Sequence, residues 1–288
     1  KFVNGQWRVP QVIKLCSEPH WNPVLTDLGN GKLALYFKVG RKIESWRTMV
    51  CYSDNLGDTW SLPVELVPGD RGGRGPVRCK IIRLSNGRLL APASLEKNGT
   101  WEAFVDRSDD NGRTWQQSNL IQIENHDYNL EQNIVMNKEI EVSEQSFHGR
   151  GVIQPTLWES APGRVHMLLR STEGRIYRSD SDDYGKSWCR AYPTELPNNN
   201  SGIDVVKIPD GTLILAYNPV AKNWGPRTPL SLAVSEDNGA SWTKMLDLDS
   251  GDGEFSYPAL TNEEDVLHLT YTWKRKTVAY WQIEIKRG

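Results

Sequence analysis

Arg170 stands where an apolar run gives way to turn-forming sequence, and its chemistry suits the binding of an anion. It ends the run Leu168-Leu169-Arg170. A planar guanidinium forms charge-assisted, bidentate hydrogen bonds with a carboxylate, a geometry for which lysine is less suited. This arginine therefore predicts a carboxylate-binding site, provided that the fold brings further polar residues to it.

Polar residues also recur at two fixed places in a repeated pattern of paired apolar strands. One set lies at the start of the first strand of each pair, and the other set lies at the end of the second strand. Core packing alone does not select polar residues at these margins. In a closed repeat array such strand ends converge near one face, so the two sets predict a polar pocket. The first set is Asn22, Arg78, Gln154, Gly202 and Tyr257, and the second is Lys38, Ser94, Arg170, Asn218 and Trp273.

Four copies of one turn pattern, Ser-x-Asp/Asn-x-Gly-x-Ser/Thr-Trp, punctuate the chain. In each copy the hydroxyl and the carboxylate or amide can bond nearby backbone N–H groups, the glycine can take a positive φ, and the tryptophan can cap a hydrophobic layer. Their recurrence predicts stacked supersecondary units of about four strands each. The copies begin at Ser53, Ser108, Ser181 and Ser235.

The elements that must position the polar sets are short strand pairs upstream of each boxed turn, and a fifth pair near the end of the chain. They predict an all-β fold, a β-propeller of four-stranded blades with five repeats visible, as a single domain over residues 1–288. We expect an N-terminal strand at 11–15 to pair into the last blade and close the ring, which removes the open sheet edges. The predicted strand pairs begin at Pro23, Cys79, Pro155, Ile203 and Tyr257.

The interval between the second and third boxed turns is the longest, and its extra residues fall at 119–151. This stretch is charged and too short for a complete four-strand unit. We predict a long inserted loop over one face. The alternative is a remnant of a sixth blade, which would raise the count by one.

Composition excludes several classes of function. The 34 basic and 36 acidic residues give a formal net charge of −2, so no global field favours nucleic acid or an anionic membrane. Apolar runs are of strand length, which predicts no membrane insertion. The four cysteines lack metal-ligand spacing, and we expect no metal and no cofactor. Twelve tryptophans and ten tyrosines offer surfaces on which sugars can stack.

The boxed turns resemble the Asp boxes of the sialidase (neuraminidase) superfamily, and the likeness covers nearly the whole chain. That family has six blades, binds an acidic sugar with three arginines, and uses a tyrosine activated by a glutamate as nucleophile, with an aspartate as acid/base. The resemblance implies that Arg170 and Arg227 are the second and third arginines. It also implies that Tyr257, in Phe255-Ser256-Tyr257-Pro258, is the nucleophile.

The chain departs from the family pattern at three places. Trp21-Asn22-Pro23 stands where the family has Arg-Ile-Pro, so Trp21 replaces the first arginine. Gln154 stands where the supporting glutamate is expected, and an amide cannot take a proton as a carboxylate does. Where the acid/base aspartate is expected, the stretch 38–46 offers only one carboxylate, Glu44.

Cleavage of a glycoside ordinarily needs one group that donates a proton to the leaving oxygen and one that attacks or activates water. Besides Tyr257 and Gln154, the candidate catalytic residues are Glu44, Glu254 and His148, with His20 as a further proton carrier. The candidate substrate-binding residues are Arg170, Arg227, Arg78, Lys38, Trp21, Asn22 and Asn218.

These residues favour a sialidase-like exo-glycosidase that releases a terminal acidic sugar, sialic acid, with an atypical catalytic set. One alternative is a lyase or hydrolase acting on a terminal uronate, in which Tyr257 with a histidine or lysine moves the C5 proton. Another is a glycan-binding propeller without turnover. All three predict an acidic glycan as partner, and none predicts an oligomeric state.

Overall fold

The computed structural model describes residues 2–3, 5–124 and 149–285, and these residues form an all-β fold. One 3-10 turn, Ile43–Ser45, is the only helical element that they contain. The all-β prediction is confirmed. Most strands belong to antiparallel groups of three or four that follow one another along the chain.

The first half of the described chain contains a small N-terminal hairpin, a four-stranded sheet and half of a larger sheet. The hairpin is β1 (Phe2–Val3) and β2 (Gln6–Trp7). The first sheet is β3 (His20–Gly29), β4 (Lys32–Val39), β5 (Arg47–Ser53) and β6 (Val64–Glu65). The next group is β7 (Ile82–Arg83), β8 (Leu89–Lys97), β9 (Thr100–Ser108) and β10 (Gln116–Gln117).

The second half continues the pattern. A short parallel pairing of β9 with β11 joins two groups into one eight-stranded sheet. The third group is β11 (Arg150–Ala161), β12 (Arg164–Ser171), β13 (Arg175–Ser181) and β14 (Tyr192–Pro197). The fourth is β15 (Asp204–Lys207), β16 (Leu213–Tyr217), β17 (Leu230–Ser235) and β18 (Thr243–Asp249). The last is β19 (Phe255–Glu263), β20 (Val266–Trp273) and β21 (Thr277–Glu284).

The core lies between consecutive strand groups, because the middle strands are apolar on both faces. On β8, Leu89 packs toward the first sheet while Leu90 packs toward the third group. On β12, Met167 packs back toward the second group while Leu168 packs forward against the fourth. Successive side chains of a strand point to opposite faces, so each middle strand contributes to two cores. The groups are therefore packed face to face in chain order.

The boxed turns join the third and fourth strands of their groups and have the predicted bonding. In the second turn, Ser108 Oγ accepts a hydrogen bond from the Gly112 N–H at 2.8 Å and donates to Asp110 Oδ1 at 2.8 Å. Gly112 has φ +86°, which a residue with a side chain rarely adopts. The hydroxyls of the other three turns accept the equivalent bond from Gly57, Gly185 and Gly239.

Two predictions concern the periphery of the chain, namely a strand at residues 11–15 and an inserted loop at residues 119–151. Residues 11–15 form no strand, and the last sheet has three strands in the part of the chain that the structure describes. Ile13 and Leu15 instead pack against the first sheet, where Phe37 and Met49 offer an apolar surface. Of the inserted stretch 119–151, residues 125–148 lie outside the described residues, and Ile121 bridges to Ala103 of β9.

Ser108→Ala should destabilise the protein, because it removes a buried hydroxyl that satisfies the Gly112 N–H and Asp110 together. We expect the free energy of unfolding to fall by about 1–3 kcal/mol, measured by urea denaturation at pH 7. The control is Ser250→Ala, which alters an exposed serine and should change stability by less than about 0.5 kcal/mol. Equal effects of the two substitutions would contradict the role given to the boxed turn.

Candidate functional site

Four residues of the first polar set have a left-handed backbone, and all four line one cavity. Their φ values are +49° for Asn22, +66° for Arg78, +51° for Gln154 and +55° for Tyr257. At Asn22, Gln154 and Tyr257 the pairing with the next strand also shifts register. Such bulges re-aim side chains. The structure thus brings together residues that are far apart in the sequence.

The cavity has a volume of about 840 Å³ and an excess of positive charge. Tryptophans form much of the apolar part of its wall. In a partly desolvated cavity, charges interact more strongly than in water, so this lining favours an anionic ligand. The charged lining residues are Arg41, Arg78, Arg170, Arg227, Arg275, Glu96 and Glu254.

Arg170, at the end of β12, is a buried cation held by neutral groups. It is 5% exposed. Its Nη1 donates to Gln154 Oε1 at 3.0 Å, and its Nε and Nη2 both donate to Asn200 Oδ1, at 3.0 and 2.9 Å. Burial lowers the pKa of Arg170 to about 10, so the guanidinium stays charged at neutral pH. A buried charge bonded to amides is poised to pair with an anionic ligand.

Arg227 is held differently, between a carboxylate and an aromatic ring. Its Nη1 lies 2.9 Å from Glu254 Oε1, and its guanidinium carbon lies 4.8 Å from the centre of the Tyr257 ring. Glu254 also accepts hydrogen bonds from Ser256 and Arg275. Burial would raise the pKa of Glu254, but Arg227 and these donors together lower it. Glu254 is therefore an ionised clamp that orients Arg227.

Tyr257 lies beside both arginines and is 37% exposed. Burial would raise the pKa of its hydroxyl, but the positive charges of Arg227 and then Arg170 outweigh that effect and lower the pKa to about 8. Roughly a tenth of such a phenol is ionised at pH 7, against about a thousandth of an ordinary tyrosine. The cavity therefore contains a phenol whose ionisation is favoured by two neighbouring cations.

Arg78 joins three parts of the fold and also lines the cavity. Its Nη1 donates to the Pro258 carbonyl at 3.0 Å, and its Nη2 donates to the Ile203 carbonyl. A Cβ added at Gly202 would lie 2.9 Å from this guanidinium. Gly202 therefore leaves room for Arg78, which explains the one member of the first polar set that has no side chain.

Trp21 forms an aromatic wall at the place where the resemblance led us to expect an arginine. Its ring stacks on Trp46 at 5.7 Å, and both indole N–H groups donate to the Gly40 carbonyl, at 2.8 and 3.1 Å. Trp101 and Trp224 meet edge to face at 6.4 Å on the same cavity. These rigid rings give apolar surfaces against which a pyranose can pack.

Sequence reasoning missed Glu96, which lies near the end of β8 and lines the cavity. The second strand of this unit was predicted to end at Ser94, but β8 continues to Lys97. Since residues two apart share a face of a strand, continuing the alternation from Ser94 would have found Glu96. Burial raises the pKa of Glu96 to about 7, although Arg170 acts in the opposite direction. Arg41, Trp101, Trp224 and Arg275 were missed as well.

Three predicted site residues do not line the cavity. Lys38 is 1% exposed, and its Nζ donates to Thr48 Oγ1 and to the carbonyls of residues 73–75. Asn218 is fully buried and bonds the Pro229 and Phe255 carbonyls. Polar side chains at these strand ends thus satisfy backbone groups of adjoining loops. Glu44 lies exposed in the 3-10 turn.

The structure describes one of the two predicted histidines, His20. His20 is not among the lining residues, and its ring bonds the Glu18 carbonyl and the Leu15 N–H. His148 lies outside the described residues. Within the described ranges no cluster of three or more His, Cys, Asp or Glu side chains could hold a metal. In the same ranges no helix is long and apolar enough to span a bilayer.

Residues 2–269 match the BNR repeat-like domain family. This match covers most of the chain, so the chain belongs to that family. The expectation that the chain belongs to an Asp-box (BNR) repeat family is thereby confirmed.

Solved structures with a similar fold include sialidases. A protein of unknown function from Dyadobacter fermentans superposes with a TM-score of 0.70 at 15% identity, over 96% of this chain and 80% of that one. Trypanosoma rangeli sialidase gives 0.67 at 18% identity, over 93% of this chain and 46% of that one. The NanB sialidase of Streptococcus pneumoniae gives a TM-score of 0.61 at 19% identity, over 86% of this chain and 37% of that one. The chain spans less than half the length of these sialidases, and identities this low establish the fold alone.

The phenol of Tyr257 should ionise near pH 8, because Arg227 and Arg170 stabilise the phenolate. The measurement is ultraviolet difference titration of the wild type against Tyr257→Phe. We expect the difference to show one tyrosine with an apparent pKa near 8, and Arg227→Met should move that value upward. A value at or above the ordinary tyrosine pKa of about 10 would contradict the electrostatic argument.

Proposed function

We propose that this member of the BNR repeat-like domain family is an exo-acting glycosidase that releases a terminal acidic sugar, with sialic acid as the first candidate, and that Tyr257 is its nucleophile. The observation that carries the proposal is that Tyr257 contacts Arg227 and also lies in the electrostatic field of Arg170, in a cavity with excess positive charge. The same charges that attract an acidic sugar stabilise the attacking phenolate.

Arg170 and Arg227 bind the sugar carboxylate in this proposal. Arg170 is bonded to neutral amides, so its charge is available to a ligand. Arg227 is held in place by Glu254 and retains further N–H donors. Trypanosoma rangeli sialidase has been solved with sialic acid and with 2,3-difluorosialic acid as a covalent intermediate. The similarity of fold makes sialic acid the ligand to test first.

Tyr257 attacks the anomeric carbon as a phenolate and forms a covalent glycosyl intermediate, which water then hydrolyses. Gln154 takes no proton in this scheme. Its amide oxygen instead accepts the Arg170 Nη1 bond and so positions that guanidinium. Two arginines thus replace the carboxylate that the family pattern places beside the nucleophile. Trp21, with Trp46, offers the sugar an aromatic face in place of a third arginine.

We infer that the strand groups are blades of one sialidase-like β-propeller, with residues 1–288 as a single domain and the cavity on its axial face. The packing of consecutive groups against each other in chain order supports this arrangement. Asn22, Arg78, Gln154 and Tyr257, which come from different groups, meet at one cavity. That meeting is expected where blades surround an axis.

Tyr257→Phe should lower kcat/KM for a fluorogenic sialoside by at least roughly 10³-fold, because the nucleophile is removed while the fold is retained. The control is Tyr280→Phe, which removes the hydroxyl of a similarly exposed tyrosine outside the cavity and should keep wild-type activity. Incubation with 2,3-difluorosialic acid should release fluoride from the anomeric carbon and attach a 3-fluorosialyl group to the peptide containing Tyr257.

The same experiments separate the alternatives. Binding of sialic acid without turnover or adduct would indicate a glycan-binding protein. A rise in absorbance near 230 nm from an oligosaccharide with a terminal uronate would indicate the lyase. Each result would overturn the glycosidase.

Arg170→Lys should weaken the binding of free sialic acid by roughly 10- to 100-fold, because lysine keeps the charge but loses the planar pair of donors. Isothermal titration calorimetry measures the affinity. The matched control is Arg164→Lys, whose side chain is 71% exposed and lies outside the cavity lining. Equal affinity in the wild type and both variants would remove Arg170 from the binding site.

A further inference from the structure

We propose that Glu96 is the acid/base residue of this site, which protonates the leaving oxygen in the first step and deprotonates water in the second. The inference rests on the proposed function, since it assigns the proton carrier that a Tyr257 nucleophile requires. It differs from the sequence expectation, which placed the candidate carboxylates at Glu44 and Glu254. Glu96 comes from the second strand group.

Position is the first argument. Glu96 and Glu254 are the two carboxylates among the described lining residues of the cavity. Glu96 lies near the end of β8, directly opposite Trp101 of β9 in the strand register. Trp101 is itself part of the cavity wall. The β8–β9 hairpin therefore presents a carboxyl group to the cavity beside an aromatic surface.

Glu254 cannot serve in this role. Its Oε1 accepts bonds from Arg227 and Ser256, and its Oε2 accepts a bond from Arg275 at 2.6 Å. Arginines on both oxygens hold this carboxyl in its ionised form. Protonating Glu254 would also release Arg227, which the proposed site needs in order to bind the sugar carboxylate. Its role is to orient the arginine.

Glu96 has the opposite environment. In the described part of the chain it forms no ion pair or hydrogen bond that would hold it ionised. Burial raises its pKa to about 7, and Arg170 of β12 is the one described charge with a resolved opposing effect. A carboxyl group with a pKa near neutrality can both donate and accept a proton at working pH. Two titratable groups in one cavity, with pKa values of about 7 for Glu96 and about 8 for Tyr257, are suited to acid/base and nucleophilic roles.

The chemistry balances with water as the only co-reactant. Tyr257 first loses its proton to solvent. Its oxygen then bonds the anomeric carbon while the glycosidic C–O bond breaks, and the carboxyl proton of Glu96 moves to the leaving oxygen. In the second step a water oxygen bonds the anomeric carbon and the bond to Tyr257 breaks. The Glu96 carboxylate takes the water proton, so Glu96 is protonated again and Tyr257 is again the phenolate that attacks.

This assignment predicts a characteristic pH profile. The productive enzyme carries an ionised Tyr257 and a protonated Glu96, although their pKa values of about 8 and about 7 make that combination a minor species. As the pH is raised, activity should therefore increase up to about pH 7, stay level to about pH 8, and decline at higher pH as the remaining protonated Glu96 is lost. Glu96→Gln should abolish the alkaline decline, because the amide does not titrate.

The decisive experiment compares leaving groups. Glu96→Gln is assayed on a sialoside with a sugar leaving group, which needs protonation, and on one with an acidic phenol, which leaves as its anion. We expect kcat/KM to fall by roughly 10²- to 10⁴-fold on the first substrate and by less than about tenfold on the second. Azide should restore turnover of the phenol substrate by replacing water in the second step. The control Glu263→Gln, at an exposed strand end, should behave as the wild type.

Formation of the Tyr257 adduct with 2,3-difluorosialic acid reports on the proposed function separately. If Glu96→Gln forms the adduct but loses activity equally on both substrates, or retains the alkaline decline, the assignment of Glu96 is wrong while Tyr257 stands. If the wild type forms no adduct and cleaves neither substrate, the proposed glycosidase and the role of Glu96 fail together. A thermal unfolding midpoint near that of the wild type verifies that Glu96→Gln is folded.

Discussion

A left-handed backbone conformation at a non-glycine residue costs roughly 1–2 kcal/mol. In four of the strand groups, a residue near the start of the first strand adopts this conformation. The residues are Asn22, Arg78, Gln154 and Tyr257. Strain of this kind persists only where surrounding packing enforces it, and it is concentrated at functional sites. Here it directs one side chain from each of four strand groups into the same cavity. The site depends on this repeated distortion, since a regular strand would alternate its side chains between the two faces of its own sheet.

The cavity then faces an electrostatic demand. Arg170 is bonded to amides and Arg78 to backbone carbonyls, while Arg227 has a carboxylate partner in Glu254. Unbalanced buried charge is costly, and a phenolate at Tyr257 or a ligand carboxylate each relieves it. The two anions therefore compete for one field. A bound acidic sugar partly cancels the positive charge that lowers the Tyr257 pKa. Closer pairing of the sugar carboxylate with these arginines would therefore reduce the ionised fraction of Tyr257. Trp21, which stands where the resemblance led us to expect a third arginine, contributes aromatic contact without charge and therefore leaves this balance unchanged.

The repeated turn pattern was enough to predict the strand pairs and the convergence of the first polar set, because hydrogen bonding in the turns and strand alternation are local. The second polar set was less informative. Lys38 and Asn218 bond loop carbonyls, and such partners depend on where distant loops fold. Glu96 was missed because the predicted strand ended at Ser94, three residues before the end of β8, and Arg41 because a short loop leaves no periodic signal. Residues 11–15 form no strand in the structure, and the partly buried Ile13 and Leu15 pack on the first sheet, a placement that depends on tertiary contacts and not on local pattern.

Gln154 is the clearest case in which one substitution changes meaning once its contacts are known. Taken alone, an amide in place of a carboxylate removes the expected base and argues against turnover. In the folded chain its Oε1 accepts the Arg170 Nη1 bond at 3.0 Å, so a glutamate there would form an ion pair with Arg170. That pair would neutralise a charge that lowers the Tyr257 pKa and would place a second anion beside the phenolate. An amide orients the same guanidinium without that penalty. The glutamine thus preserves both properties on which the proposed chemistry relies: a free positive charge for the sugar and an activated phenol.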